Sequence, residues 1–322
     1  MKPNIAFVGL GVMGQRMLTN MRTHGSFTLG AAWDPDPEAR GQTQKEFPEI
    51  RLGASADDII GDAATDVVYV ACPPASHRAY VLAALDAGKP VFCEKPLGVD
   101  VAESRDMVDR IEQSGLMNAV NFSFASAAAS DMIKAELEAG ALGRVMGADL
   151  RLHFSQWPRD WQVHASDWLS LRAEGGFARE VVSHYAFLTE RLFGKAHVTG
   201  ATLHYPDGPE GRRAETHLSA LLDCSGVPVS IAGSVGGVGP DRVEYTVWGE
   251  NRSYRLYDWN RLRSSDGGDW REELTHMEDP RQEGYMRMLD NILAQLAGRP
   301  HTMASFREAL SVQELVERLL EA

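Results

Sequence analysis

A glycine-rich turn near the start of the chain has the spacing of a dinucleotide-binding loop. An apolar run over residues 5–8 leads into Gly9–Gly14, which has the pattern G-x-G-x-x-G, and Asp34 closes a second apolar run 20 residues further on. In such a loop the first glycine permits a tight turn, the second lets the backbone approach a pyrophosphate, and the third lets the next helix pack close to the sheet. A helix that begins near residue 12 points its free N–H groups and its positive dipole end at the phosphates. We therefore predict that a dinucleotide is bound by Gly9, Gly11, Val12, Met13 and Gly14.

The type and position of Asp34 indicate which nicotinamide cofactor is bound. At the end of the second strand, its carboxylate can accept both hydroxyl protons of an adenosine ribose and would repel a 2′-phosphate. No arginine follows at once, because the next residues are Pro35, Asp36 and Pro37. The sequence therefore predicts NAD, with NADP less favoured. The alternative interpretation of Asp34 is a plain Asp-Pro turn.

A second strand end carries further candidates for cofactor contacts. Cys72, Pro73 and Pro74 end an apolar run, and His77 follows where a helical stretch begins. Open α/β sheets bind their ligands at the carboxyl ends of the strands. We predict cofactor contacts from these four residues, with His77 at the ribose or the nicotinamide. A histidine that starts a helix and has no ligand fits the sequence equally well.

A charged pair follows the next strand, at the matching position. Glu94 and Lys95 come directly after the apolar residues 91–93, where a simple surface position is unusual. Pro96 restricts Lys95 to extended conformations and can itself be cis, which would fix the direction of the ammonium group. Such a lysine can bind a substrate hydroxyl and take part in proton transfer. We also predict cofactor contacts from Glu94 and Lys95. Asn121, which ends the last strand of this region, is a weaker candidate near the nicotinamide.

The order of apolar runs predicts the elements that position these residues. Up to about residue 122, strand-like runs alternate with helical stretches, which indicates βαβ units and a parallel sheet. Later runs alternate apolar and polar residues, which is typical of an antiparallel sheet with one wet face. Ser305 and Glu308 form a capping box that opens a final amphipathic helix. The predicted strands are Asn4–Val8, Thr28–Trp33, Val67–Ala71, Pro90–Cys93, Asn118–Asn121, Gly147–Phe154, Val198–Tyr205, Thr216–Asp223, Val227–Ser234, Val243–Trp248 and Ser253–Trp259, and the predicted helices include Ala75–Ala87, Val101–Ser114 and Met132–Ala139.

Together, these motifs resemble those of the glucose–fructose oxidoreductase/inositol dehydrogenase/MocA (Gfo/Idh/MocA) family. The resemblance rests on the glycine-rich turn, the strand that ends in Pro73-Pro74 with His77 soon after, and the run Glu94-Lys95-Pro96. It extends over nearly the whole chain and implies an α/β fold. In this fold an NAD(P)-binding Rossmann domain over residues 1–122 precedes an α+β domain with an open, mostly antiparallel sheet over residues 123–322.

The resemblance also implies an activity. It implies that the second domain binds substrate and forms dimers or tetramers. It further implies NAD(P)-dependent oxidation or reduction of a sugar, a polyol or a related small molecule, with the motif lysine, Lys95, assisting catalysis beside the nicotinamide.

The second domain offers a histidine and an acid at helical spacing. The family usually has an aspartate four residues before its catalytic histidine, on the helix after a double glycine. This chain has Gly175-Gly176, then Glu180 and His184. Spacing i, i+4 puts both side chains on one helical face, where they can meet a common ligand. We predict that His184 handles a proton together with Lys95. Glu180 is one methylene longer than aspartate. Two alternatives stay open: Glu180 fills the aspartate role from a shifted backbone, or it has no such role.

The loop over residues 153–167 contains candidate substrate contacts. Its aromatic and hydrogen-bonding side chains, with one just beyond, are Trp157, Arg159, Asp160, Trp161, His164 and Trp168. Aromatic faces combined with polar groups suit a sugar, so we predict substrate contacts from Arg159 and Trp161 beside those of Lys95, Glu180 and His184. The same composition suits a packed loop or a subunit contact, because Trp and Arg are enriched at interfaces.

Composition limits the remaining classes of function. A chain of 322 residues exceeds the usual single core, and its net charge of −13 argues against a nucleic-acid partner. The three cysteines, Cys72, Cys93 and Cys224, make no disulfide framework, and neither C-x-x-C nor H-E-x-x-H occurs, so no metal is predicted. No signal peptide is recognisable and no apolar run reaches the ~18 residues of a membrane span. We therefore expect a cytoplasmic protein with no membrane partner.

These observations favour an NAD(H)-linked dehydrogenase that acts on a sugar or polyol hydroxyl. Two alternatives from other classes remain open. One is an NAD-dependent glycosidase on the same fold, which would cleave glycosides with no net change in the nicotinamide. The other is a non-catalytic regulatory protein that senses the nucleotide, which would show no turnover.

Overall fold

The chain folds into two compact units. The computed structural model describes residues 1–208 and 211–322, and of residues 163, 164, 166 and 167 only the backbone. The first unit comprises Met1–Phe122 and Met288–Leu310, and the second comprises Ser123–Arg287 and Ser311–Ala322. A single division after residue 122 therefore does not describe the structure, because residues 288–310 return to the first unit.

The first unit is built on a six-stranded parallel sheet. Its strands are β1 (Asn4–Val8), β2 (Thr28–Trp33), β3 (Arg51–Leu52), β4 (Val67–Val70), β5 (Val91–Cys93) and β6 (Asn118–Val120). The helices that connect them are α1 (Val12–His24), α2 (Pro37–Glu46), α3 (Ala56–Ile60), α4 (His77–Asp86) and α5 (Val101–Ser114). The strands stand in the order β3-β2-β1-β4-β5-β6, the doubly wound order whose reversal point lies at β1 and β4.

The register of this sheet brings three loops together. Val8 at the end of β1 pairs with Trp33 at the end of β2 and with Val70 at the end of β4. All four residues of β4 are buried, as expected for a parallel strand covered on both faces. The loops that follow β1, β2 and β4 therefore start side by side at one edge of the sheet.

The second unit is built on an eight-stranded sheet. Its strands are β7 (Val145–Phe154), β8 (Ala196–His204), β9 (His217–Cys224), β10 (Val227–Val235), β11 (Arg242–Gly249), β12 (Ser253–Tyr257), β13 (Arg261–Ser265) and β14 (Arg271–Glu272). The helices are α6 (Ala128–Glu138), α7 (Ser166–Leu169) and α8 (Ser183–Phe193), with a π-helical turn over Ala178–Val182 that leads into α8. The strand order is β14-β13-β12-β11-β7-β10-β9-β8, and only the pair β7–β10 is parallel.

One face of this second sheet is covered and the other is open. In β9, exposed and buried residues alternate from His217 to Leu222. Helix α8 lies on the covered face, where Thr189 Oγ1 and Tyr245 OH are 2.9 Å apart in a hydrogen bond. The open face includes the exposed side chains of Leu221 and Trp248.

Two further helices complete the chain, α9 (Pro280–Leu296) and α10 (Phe306–Leu320). Between them, Ala304 O accepts a hydrogen bond from Val120 N at 2.8 Å, beside β6. The predicted capping box is present, since Ser305 N donates to Glu308 Oε2 at 2.8 Å and Glu308 N donates to Ser305 Oγ at 3.2 Å. No helix of the described residues has the length and hydropathy needed to cross a membrane.

The predicted fold class, a Rossmann-type sheet plus an open and mostly antiparallel sheet, is confirmed. Some elements differ from their predictions. The strand predicted over Ser253–Trp259 ends at Tyr257, because Asp258 and Trp259 have positive φ angles and turn the chain. Strand β13 was not predicted, because Leu262 is its one large apolar residue. The helix predicted over Ala75–Ala87 has a separate first turn, the 3₁₀ turn Pro74–Ser76.

Candidate functional site

In the glycine-rich turn, the first and last glycines pack closely against neighbouring backbone, whereas the middle glycine borders open space. Gly9 has φ +102°, and a Cβ on it would lie 2.5 Å from the carbonyl carbon of Ala71. A Cβ on Gly14 would lie 2.2 Å from Gly9 O, so only glycine lets α1 pack this closely. By contrast, apart from Gly11 and its neighbours along the chain, no described atom lies within 4 Å of the Cβ position of Gly11. The packing roles predicted for Gly9 and Gly14 are thus confirmed, and Gly11 borders open space.

The start of α1 fits a phosphate group. The N-cap residue of α1 is Gly11, so no capping side chain bonds to the N–H groups of the first turn. That turn also contains no acidic residue. The N–H groups at a helix N-terminus have no partner within the helix and carry a positive partial charge. The backbone of Val12 and Met13 can therefore hold an anion, as the pyrophosphate of a dinucleotide requires.

The Asp34 carboxylate is fixed beside this turn. Its Oδ2 accepts a hydrogen bond from Leu10 N at 2.7 Å, and its Oδ1 accepts one from Asp36 N at 2.8 Å. A carboxylate oxygen has two lone pairs, so each oxygen can still accept a further hydrogen bond. The residues present therefore fit both parts of a dinucleotide, the pyrophosphate and a ribose with free hydroxyls.

An arginine that the sequence analysis missed lies beside Asp34. The Arg40 guanidinium donates hydrogen bonds to the backbone carbonyl oxygens of Asp34 and, at 3.2 Å, of Pro35. No arginine follows Asp34 directly in the sequence, but the first turn of α2 brings the sixth residue back to the strand end. Asp34 itself lies where NAD specificity requires a carboxylate.

His77 has a structural position. It is completely buried, with Nε2 2.9 Å from Cys72 O and Nδ1 3.3 Å from Leu97 O. Burial lowers its pKa, so the ring is neutral and donates to one carbonyl oxygen at a time. These contacts favour a histidine that joins two loops over one that contacts the ribose or the nicotinamide. The neighbouring Cys72 is also no anion, since burial raises the pKa of its thiol to about 12.

Glu94 and Asn121 bind each other at the ends of β5 and β6. Glu94 is 4% exposed, and its Oε1 accepts hydrogen bonds from Tyr69 OH at 2.5 Å and from Asn121 Nδ2 at 2.6 Å. The half-buried Lys95 follows directly, and its peptide bond to Pro96 is cis. Because three neighbouring strands supply Tyr69, Glu94 and Asn121, this cluster fixes the backbone from which the Lys95 side chain starts.

In the second unit, aromatic rings surround His184. The imidazole is 9% exposed, with Nδ1 3.4 Å from Ser123 Oγ. The rings of Phe124 and Trp259 meet it edge to face, with centroids 6.0 and 5.8 Å away. Trp259 was not predicted as a site residue, because its place in the sequence gives no sign that it lies near His184.

Glu180 lies in a π-helical turn that ends at Val182, and His184 lies in the first turn of α8. The Glu180 carboxylate accepts a hydrogen bond from Gln162 Nε2 at 3.1 Å and lies 3.9 Å from the Arg159 guanidinium. Gln162 is a second residue that the sequence analysis missed. π-Helical turns occur often at functional sites.

Arg159 is the centre of the predicted substrate loop. Its guanidinium donates to Gln162 Oε1 at 3.0 Å and lies over four aromatic rings at 4.8–5.6 Å from their centroids. These rings belong to Phe154, Trp157, Trp161 and Trp259. Trp161 is the exposed member of the group, whereas Trp157 donates from Nε1 to Leu169 O at 3.0 Å and supports the loop. The side chain of His164 lies outside the described residues.

The second unit therefore brings together the predicted residues Arg159, Trp161, Glu180 and His184, with Trp259 and Gln162 added. The first unit brings together the glycine-rich turn and Asp34, and separately Glu94, Lys95 and Asn121. Within the described part of the chain, no group of three His, Cys, Asp or Glu side chains could hold a metal ion.

Comparison with known proteins finds a family model that matches the Rossmann part of the first unit. Residues 3–122 match the model of the family described as "Oxidoreductase family, NAD-binding Rossmann fold", GFO_IDH_MocA. This match confirms the resemblance to the Gfo/Idh/MocA oxidoreductases that the motifs indicate. The family description also confirms the predicted cofactor class, a nicotinamide dinucleotide.

Individual relatives agree with this assignment. An inositol 2-dehydrogenase from Acidothermus cellulolyticus is 34% identical over 155 residues, which are 45% of this chain and only 43% of that relative. An inositol 2-dehydrogenase from Burkholderia multivorans is 28% identical over 79% of this chain and 74% of its own. Among solved structures, an oxidoreductase from Agrobacterium radiobacter in complex with NAD⁺, L-tartaric acid and magnesium has a TM-score of 0.85 at 20% identity, over 100% of this chain and 96% of its own. This last similarity shows that the fold is shared.

Proposed function

We propose that this protein is an NAD(H)-dependent dehydrogenase or reductase that acts on the CH–OH or carbonyl group of a sugar, a polyol or a related small molecule. The observation that carries the proposal is the Asp34 carboxylate, which is bonded to Leu10 N at 2.7 Å beside the open Gly11 turn. The names of the relatives, which include inositol 2-dehydrogenases, support this substrate class.

The first unit has the groups needed to bind the cofactor. The N–H groups at the start of α1 bind the pyrophosphate, and Asp34 binds the adenosine ribose. When bound, the nicotinamide exchanges a hydride with the substrate carbon, and the protein supplies orientation and charge. Cys72, Pro73 and Pro74 follow the strand next to β1 and shape the same edge of the sheet.

Lys95 and His184 handle the proton in this proposal. The Lys95 ammonium donates a hydrogen bond to the substrate oxygen, and the Glu94–Asn121–Tyr69 cluster supports Lys95 by fixing the strand end. The His184 imidazole exchanges the hydroxyl proton, since histidine can gain and lose a proton near neutral pH. The support for His184 is its place beside the aromatic and polar side chains of the substrate loop.

Glu180 and Arg159 have a binding role in this proposal. The Glu180 carboxylate accepts from Gln162 and lies 3.9 Å from the Arg159 guanidinium, which favours orientation of polar groups over proton transfer. Arg159, Glu180 and the exposed Trp161 would then contact the substrate by hydrogen bonds and an aromatic face.

The activity is tested with purified protein, NAD⁺ and NADP⁺, and a panel of sugars and polyols. The expected result is reduced cofactor, seen by its absorbance, with at least one polyol or sugar and with higher kcat/KM for NAD⁺. Glycoside cleavage with no net change in the nicotinamide would instead identify the glycosidase. Tight NADH binding with no turnover on any substrate would identify the regulatory protein.

We also propose that the protein forms a homodimer or homotetramer through the second unit. The support is the open face of the eight-stranded sheet, which exposes Leu221 and Trp248. Apolar surface on an open sheet commonly marks an interface. A cytoplasmic location and the lack of nucleic-acid and membrane partners stay predictions from the sequence.

A further inference from the structure

We propose that Trp259 is the positioning residue that fixes the ring of His184 for proton transfer. This inference rests on the proposed function, because it assigns to Trp259 the orientation of the proposed proton-transfer group. A strained turn, ring contacts and the link that Trp259 makes with Arg159 support this role.

The backbone at Trp259 has a conformation that tryptophan rarely adopts. Its φ is +70°, and Asn260 N donates to Asp258 O across it at 2.9 Å. An i→i+2 hydrogen bond around a residue with this φ defines the γ-turn with positive φ, which is rare and strained. Glycine or asparagine would meet this requirement at lower cost, whereas a bulky residue is a true outlier.

The turn directs the indole toward the candidate site. The indole and the His184 ring meet at 89° with centroids 5.8 Å apart, and the ring of Tyr185 lies 6.0 Å from the indole. Backbone strain persists where surrounding contacts over-determine it, and it clusters at functional sites. The strain at Trp259 is therefore explained by what its side chain contacts.

Contacts with Ser123, Phe124 and Trp259 restrict the orientation of the imidazole. Ser123 Oγ lies 3.4 Å from Nδ1, while Phe124 and Trp259 each meet the ring edge to face. Because α8 already fixes the His184 backbone, these contacts determine how the ring rotates about its side-chain bonds. Removal of the indole frees one side of the ring and lets it turn away from the reactive geometry.

Trp259 also connects His184 to the predicted substrate contacts. The Arg159 guanidinium lies 5.4 Å from the indole centroid, and the Glu180 carboxylate lies 3.9 Å from that guanidinium. One side chain thus touches both the proposed proton-transfer group and the proposed binding group. A shift of the indole is expected to affect both groups. Its effect on kcat should exceed its effect on KM, because the contact with His184 is direct.

The test combines kinetics with the NMR signal of the His184 ring. Trp259→Leu should lower kcat by about 10–100-fold, the size expected for a misplaced group. It should also move the His184 Cε1–Hε1 resonance, which is identified by its loss in His184→Ala. Trp259→Phe, which keeps an aromatic ring, should restore most of kcat and most of the chemical shift.

Two further variants separate positioning from folding. Trp259→Asn tolerates the positive φ better than Trp259→Leu does, so its Tm should fall less while its kcat stays as low. Trp270→Leu is the matched control, since Trp270 contacts Trp248 and Arg255, and it should leave kcat unchanged.

The positioning role would be overturned if Trp259→Leu left the His184 resonance unmoved or kept kcat within twofold of the wild type. In that case an inactive His184→Ala would show that the proposed function itself still holds. A fully active His184→Ala would overturn the proton role of His184 in the proposed function, and this inference with it.

Discussion

The Asp34 carboxylate accepts a hydrogen bond from Leu10 N, inside the glycine-rich turn, at 2.7 Å. The bond ties the end of β2 to the loop after β1, so the group proposed to bind the ribose and the backbone proposed to bind the pyrophosphate are held in one arrangement. Cofactor specificity and cofactor binding therefore both depend on the hydrogen bond between Leu10 N and Asp34.

Replacing Asp34 by alanine should weaken NADH binding by about 10–100-fold, because hydrogen bonds from ribose hydroxyls to a charged acceptor contribute about 1.5–3 kcal/mol. The dissociation constant of NADPH should change less, since the repulsion of its 2′-phosphate is also removed. Cofactor fluorescence titrations measure both constants. A wild-type protein that prefers NADP would contradict the assignment of Asp34.

Arg40 should contribute to whatever NADP binding the protein has. Its guanidinium is held at the backbone carbonyls of Asp34 and Pro35, near the predicted ribose position. In an Asp34→Ala background, Arg40→Ala should weaken NADPH binding several-fold and leave NADH binding nearly unchanged. Arg51→Ala, which removes an exposed arginine from β3, is the charge-matched control. Equal losses for both cofactors would show that Arg40 only supports the fold.

The residues around Asp34 show what could be predicted from the sequence. The glycine turn, its strand and Asp34 lie within one βαβ unit, so their spacing carries the information. Arg40 was missed because a turn of helix α2 brings it back to the strand end. Gln162 and Trp259 were missed for a stronger reason, since only the pairing of distant segments places them beside Glu180 and His184.

The same distinction applies to the fold. The βαβ pattern and the strand alternation follow from local periodicity, and both sheets were predicted. The return of residues 288–310 to the first unit depends on long-range contacts, such as the hydrogen bond from Gln295 Nε2 to Asn118 O at 2.9 Å. The π-helical turn before His184 has no motif in the sequence, so only the structure shows it.

Glu215 should make the stability of the second unit depend on pH. It is 2% exposed, and burial raises the pKa of its carboxyl to about 7 although Ala178 N donates a hydrogen bond to its Oε1 at 2.8 Å. The folded state thus holds the proton more tightly than the unfolded state, whose pKa is near the ordinary value of 4.5. The contribution of the Glu215 carboxyl to the free energy of unfolding is complete below about pH 4.5. It falls as the pH rises and is lost above about pH 7.

Replacing Glu215 by glutamine should remove this dependence, since the amide resembles the neutral acid and can still accept from Ala178 N. The free energy of unfolding at pH 8 should then exceed the wild-type value by up to about 3 kcal/mol, with little difference at pH 4.5. Urea unfolding at both pH values measures this, with the exposed Glu250→Gln as control. A Glu215→Gln variant that is less stable at pH 8 would refute the neutral-acid assignment.

A charge on the open sheet face should disrupt assembly. Leu221 is exposed in the middle of β9, so Leu221→Glu places a carboxylate on that face without disturbing the core. Light scattering at micromolar concentration should give a dimer or tetramer for the wild type and a smaller species for this variant. Gln113→Glu on helix α5 makes the same change of one negative charge in the first unit and should leave the mass unchanged. A monomeric wild type would exclude the proposed assembly.

The central claim is that Lys95 and His184 handle the substrate proton, and the most direct measurement is the kcat of His184→Ala and Lys95→Met beside their NADH dissociation constants. The account predicts that each variant loses about 10²–10⁴-fold in kcat, the size of general acid–base assistance. NADH binding should stay near the wild-type value, because neither group is proposed to bind the phosphates or the ribose. A His184→Ala variant with near-normal kcat would make His184 a packing residue and would contradict the acid–base assignment.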